Sequence, residues 1–126
     1  MGFDQYHEPP EELPPATRTF ARLCASLTEE AEAIGWYQQR LAIETDPDAL
    51  AVMRDAQGEE FKHFSMDLEF LLRRVRPWRE VAQGILLQEG DIGEHGEEAE
   101  EETCEGGAAP HSDGSLGIGS LKGALR

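Results

Sequence analysis

The sequence predicts an all-α protein: an antiparallel hairpin of two long helices followed by a short C-terminal helix, with two copies pairing into a four-helix bundle. Three observations predict it. Apolar residues recur at alternating steps of three and four through two long stretches. Proline and aspartate stand where those stretches begin and end. A single Glu and a single Glu-x-x-His occupy positions where a four-helix metal site uses two of each.

The first helix is expected after Pro9-Pro10 and Pro14-Pro15, from residue 16 to about 44, with Leu23, Leu27, Glu30, Ile34, Tyr37 and Leu41 on one face. The second opens at Asp46, which can cap free amides, with Pro47 in the first helical position, where its missing N–H costs nothing. It is expected to reach about residue 76, with Leu50, Met53, Phe61, Phe64, Leu68, Leu71 and Val75 as its core stripe. Gly58 interrupts that stripe, at a cost of roughly 1 kcal/mol relative to Ala, and is expected to permit close approach of another helix. Pro77 closes the second helix, and residues 78–87 form a short third one that stops at Gly90. A helix of ~29 residues is ~43 Å long. Two such helices cannot cover each other's apolar faces completely, and an isologous two-fold dimer solves this.

Charge divides the chain. Of the net −15 over 126 residues, −7 falls on residues 1–88, −10 on residues 89–114, which hold no Lys or Arg, and +2 on residues 115–126. Residues 1–15 are read as a flexible N-terminal segment and 16–88 as the helical domain. Residues 89–114 are expected to be a disordered acidic linker, because so little apolar surface cannot offset the entropy of ordering. About 88 folding residues bury a modest fraction of their surface, so self-association is expected. The acidic balance argues against nucleic acid and anionic lipid, which need Lys and Arg. No apolar run approaches the ~20 residues of a membrane span, and the first ten residues lack the order of a signal peptide, so a cytosolic location is expected. Cys24 and Cys104 are read as free thiols without an assigned function.

The candidate site lies inside the stripes. Glu30 sits between Leu27 and Ile34, where a lone ionised carboxylate is costly to desolvate. Glu60 and His63, three apart, are neighbours on one face of the second helix, and a hairpin brings Glu30 opposite them. Carboxylate and imidazole together suit iron. A two-fold dimer would collect two Glu30, two Glu60 and two His63, a four-carboxylate, two-histidine set. Spacing alone leaves a second reading open, in which Arg40 or Arg54 neutralises Glu30 and no metal binds. Glu29 and Glu32, with Trp36 and Tyr37, crowd acid and aromatic rings beside Glu30. They read either as a wet, packed face or as a region that draws cations in.

The runs Glu29-Glu30-Ala31-Glu32-Ala33-Ile34-Gly35-Trp36-Tyr37-Gln38-Gln39-Arg40, Thr45-Asp46-Pro47 and Glu59-Glu60-Phe61-Lys62-His63, with Met66 and Leu68-Glu69, resemble the encapsulated ferritins. So does the final Ser115-Leu116-Gly117-Ile118-Gly119-Ser120-Leu121-Lys122. The resemblance implies a ferritin-like four-helix bundle and a ferroxidase that oxidises Fe(II) to Fe(III) with O2. It implies Glu30, Glu60 and His63 as ligands of a di-iron centre shared by two subunits, with Tyr37 bordering it. It implies Glu29, Glu32 and Trp36 as a weaker accessory region through which metal reaches the dimer, where Ca(II) or Zn(II) can also bind. The dimers are expected in an open ring of five, a decamer with no storage cavity, housed in an encapsulin nanocompartment in the cytoplasm that receives the iron. Residues 115–122 look like the peptide that loads such cargo, with Leu116, Ile118 and Leu121 as apolar anchors in a groove of the shell. Two departures stand out: Gly58 replaces an acid common in the family, and the linker is longer and more acidic. The alternative function is a non-catalytic, metal-binding helical cargo or adaptor.

Overall fold

The computed structural model describes residues 5–107, with side chains through residue 104. Among these residues the chain is all-helical. A 3-10 turn at Pro10–Glu12 precedes α1 (Pro15–Ile43), α2 (Pro47–Arg74), α3 (Arg76–Ile85) and α4 (Ile92–Gly107). The described residues divide into two compact units, with the boundary between Leu71 and Leu72. No described helix is long and apolar enough to cross a membrane.

In the first unit the expected punctuation operates. α1 starts at Pro15, whose locked φ suits a first helical position, and ends before Glu44. The Glu44 carboxylate accepts from the backbone N–H groups of Thr45 and Asp46 at 3.2 and 3.0 Å. The Asp46 carboxylate then accepts from Ala49 N–H at 2.9 Å, capping α2 ahead of Pro47. So short a turn makes the helices antiparallel, and Gln57 records the register: its amide donates to the Ile34 carbonyl at 3.2 Å and to the Gln38 side chain at 3.0 Å.

The α1 stripe of Leu23, Leu27, Glu30, Ile34, Tyr37 and Leu41 is half-buried throughout, and no residue of α1 is fully buried. One expectation on α2 is corrected. Phe61 is 52% exposed, because the face turned to α1 runs through Gln57, Glu60 and Phe64 at steps of three and four, which sets Phe61 about 100° to one side. Within the described chain nothing stands within 4 Å of where a Cβ on Gly58 would lie, so the close approach expected there is left to a helix of a second copy.

Val75, with φ −128°, breaks the helix ahead of Pro77, and α3 begins at Arg76. Its exit is not a simple glycine stop. Leu87 takes φ +62°, a left-handed conformation uncommon for a non-glycine residue, and Gly90 takes φ +106°.

The segment expected to be a disordered acidic linker instead carries α4 over Ile92–Gly107; residues 108–114 and the 115–126 tail lie outside the described residues. The physical reason is position rather than composition. Asp91 caps the helix by accepting from Glu94 N–H at 2.9 Å, and the His95 ring meets the Glu89 carbonyl at 2.7 Å. Glu and Ala are strong helix formers. Ala99 and Thr103, four apart, are both buried, and a Cβ on Gly84 would stand 2.8 Å from the Ala99 Cβ. Only glycine lets α3 approach α4 so closely. Ala82 and Ala99 thus give the second unit a core of small side chains beside Leu72 and Val75.

Candidate metal centre

Helix α1 presents Glu30, and α2 presents Glu60 and His63. One ligand atom from each lies within 4.8 Å of the others, the described group of metal-ligating side chains that meets this spacing. Glu30 and Glu60 are half-buried and His63 is exposed. Between the α2 residues, His63 Nδ1 stands 3.3 Å from Glu60 Oε1. His63 Nε2 is 3.9 Å from Glu59 Oε1, but Glu59 is exposed and its closer partner is Lys62 Nζ at 2.8 Å. That ion pair holds the Glu59 carboxyl below its ordinary range, chiefly through the hydrogen bond from Lys62.

Glu30 behaves differently. Its pKa is pushed from the ordinary 4.5 up to about 7, first by burial, then by the Asp67 carboxyl, which hydrogen-bonds the protonated form and repels the charged one. Glu60 adds to the rise and His63 opposes it. Glu30 Oε1 and Asp67 Oδ2 are buried with no hydrogen-bond donor in reach. As two ionised carboxylates they offer each other nothing; the hydrogen bond between them exists only while one of them holds a proton. A half-buried carboxylate pair of this kind, with one buried oxygen on each side, is satisfied by a proton or by a cation.

Among the described residues no arginine neutralises Glu30. Arg40 lies over the Tyr37 ring, its guanidinium carbon 5.1 Å from the centroid, and the charges acting on Glu30 are those of Asp67, His63 and Glu60. Two carboxylates and an imidazole, one carboxylate oxygen orphaned, fit a transition-metal cation. Three such donors from one chain would leave a cation's coordination incomplete.

The other expected residues lie apart from this trio. Glu29 and Trp36 are exposed and Glu32 is half-buried; spaced by three and four on α1, they share a face that flanks the Glu30 stripe. Tyr37 is half-buried within that stripe. Asp67 is the neighbour of Glu30 that sequence reasoning missed. The signal was available, since it follows His63 by four residues and Glu60 by seven, on the same face of α2.

A family model described as EncFtn-like matches residues 5–89, which include both helices and all three ligand candidates. The chain belongs to the EncFtn-like family. This EncFtn-like chain is 41% identical over 124 residues to a protein of Rhodospirillum rubrum named "Encapsulated ferritin-like protein", covering 93% of this chain and 87% of that one. It is 38% identical over 118 residues to a "Ferritin-like protein" of Thermotoga maritima, covering 94% and 98% of the two. Among solved structures, a Nitrosomonas europaea protein is similar at 32% identity and a TM-score of 0.68, over 71% of the EncFtn-like chain and 98% of its own.

Proposed function

We propose that this EncFtn-like protein is a ferroxidase that oxidises Fe(II) to Fe(III) with O2 at a di-iron centre shared by two subunits. One observation carries the reading: Glu30, Glu60 and His63 converge within 4.8 Å across the hairpin, while Glu30 Oε1 is buried without a donor. Iron is the substrate. The carboxylates bind both oxidation states as hard ligands, and their negative charge favours the Fe(III) product. His63 supplies the nitrogen donor from an exposed position, and two Fe(II) giving one electron each, with two protons from solvent, reduce one O2 to hydrogen peroxide.

A second copy of the chain supplies the remaining ligands in this reading. Three residues are half of a four-carboxylate, two-histidine set. In the first unit Leu71 is the described apolar side chain that is buried, whereas Trp36, Ile43, Val52, Phe61 and Met66 are 50% exposed or more. A unit with so little core is completed by pairing. Dimers then assemble into a ring of five, Tyr37 borders the centre, and Glu29, Glu32 and Trp36 form the accessory region where Ca(II) or Zn(II) also binds.

The name of the Rhodospirillum rubrum relative, "Encapsulated ferritin-like protein", supports a shell as partner. The protein works inside an encapsulin compartment in the cytoplasm, tethered by residues 115–122, and releases Fe(III) to the lumen. Adding Fe(II) to the metal-free protein under air is expected to consume O2 as Fe(III) absorbance grows. Binding of Fe(II) without O2 consumption would identify a metal-binding adaptor instead. Deleting residues 115–126 is expected to leave this oxidation intact while abolishing co-purification with a co-expressed encapsulin shell. A truncated protein still recovered with the shell rules out the tail as tether.

A further inference from the structure

Asp67 stands on α2 one helical turn past His63 and two past Glu60. Its carboxyl meets that of Glu30 across the hairpin, yet it lies outside the group in which Glu30, Glu60 and His63 approach within 4.8 Å of one another. Glu30 is therefore shared. Glu60 and His63 face it on one side, and Asp67 faces it one turn further along α2.

The pair formed by Glu30 and Asp67 has no internal explanation as a structural contact. One oxygen of each, Glu30 Oε1 and Asp67 Oδ2, is buried and receives no hydrogen bond. No lysine or arginine is among the charges that act on Glu30. Two like charges held together in half-buried side chains, each with a buried oxygen that lacks a donor, disfavour the folded chain, and a cation between them reverses the sign of the interaction.

We propose that Asp67 is a further metal-binding carboxylate, which with Glu30 forms a second cation position one turn along α2 from the position held by Glu60 and His63. The proposal rests on the metal-centre reading of Glu30, Glu60 and His63. The second position has oxygen donors and no imidazole, so it takes hard cations such as Mn(II), Ca(II) or Fe(III) in preference to softer ones. The position with His63 is the better one for Co(II) or Zn(II). A shared Glu30 places the two cations side by side, so that product Fe(III) has an all-oxygen site to move into.

The test titrates the full-length, metal-free protein with Mn(II), followed by the paramagnetic resonance signal of the free ion, and separately with Co(II). Asp67→Ala and Asp67→Asn are each expected to weaken Mn(II) binding by roughly tenfold or more and to disturb Co(II) binding far less. Asn keeps the volume and polarity of the side chain, so a loss common to both variants reports the carboxylate and not the packing. Mn(II) binding that is unchanged or tighter in both variants overturns the proposal; tighter binding would mean that Asp67 only repels cations' other carboxylate partner or shares its proton. His63→Ala separates the premise from the proposal. Weaker Co(II) binding in that variant supports the metal centre whatever Asp67 does, and unchanged Co(II) binding sinks the centre itself.

Discussion

Glu30→Ala, Glu60→Ala and His63→Ala are each expected to cut the rate of Fe(II) oxidation by about two orders of magnitude or more, judged against the 10–100-fold that outer-shell changes alone remove. The three side chains are the described donors gathered within 4.8 Å. In a two-fold dimer every single substitution deletes two ligands, one for each half of the shared centre. The three losses should not be additive, because any of them dismantles the pair of ions that must each deliver an electron. Stopped-flow absorbance of Fe(III) after mixing with O2 measures the rate, and circular dichroism confirms that the helices persist. Glu80→Ala is the control, since that residue lies in the other unit, paired with Arg76 at 2.9 Å. Three variants that oxidise iron at the wild-type rate would remove the centre from this site.

The trio was legible in the sequence because its elements announce themselves locally. Asp46 and Pro47 fix where α2 begins, the short turn fixes an antiparallel partner, and a carboxylate set among Leu27 and Ile34 has to be explained by something across the hairpin. What composition concealed was α4. Residues 89–107 read as acid and glycine in bulk, yet Ala99 and Thr103 are spaced by four and are buried, and Asp91 is placed to cap. Average hydropathy erases such a narrow stripe, and the glycine that admits it, Gly84, lies on another helix. Asp67 was hidden for the opposite reason. An aspartate on a helix face usually meets water, and only the three-dimensional register shows that this one ends against Glu30. Phe61 shows that apolar character alone does not decide burial when its neighbour Glu60 holds the inward face.

Without metal, the chain is expected to lose stability as pH rises from about 4.5 to about 7, and Glu30→Gln is expected to remove that part of the slope. Glu30 titrates near 4.5 when unfolded and near 7 in the fold. Below the lower value both states hold the proton, and the stabilisation that comes from keeping it is fully present. Between the two values the unfolded chain releases a proton that the folded chain retains, so each step up in pH favours unfolding. Above about 7 both states are ionised, the loss is complete, and the fold carries a charged Glu30 against Asp67 and Glu60. A divalent cation inverts the trend. It takes the place of the proton, and its affinity grows through the same window as proton competition fades, so the stabilisation by Co(II) should increase as the metal-free protein weakens. Glu30→Gln should therefore move the two forms in opposite directions at alkaline pH: the metal-free variant melts at a higher temperature than the wild type, and Co(II) raises that temperature little. Thermal melts across the window, with Co(II) and with chelator, read both effects. A variant that melts like the wild type without metal and gains as much from Co(II) would show that Glu30 is neither the strained carboxylate nor the metal's anchor. Seeing only the first effect would leave Glu30 as a destabilising charge, and a charge that weakens the fold and serves no cation has no physical reason to occupy an otherwise apolar stripe.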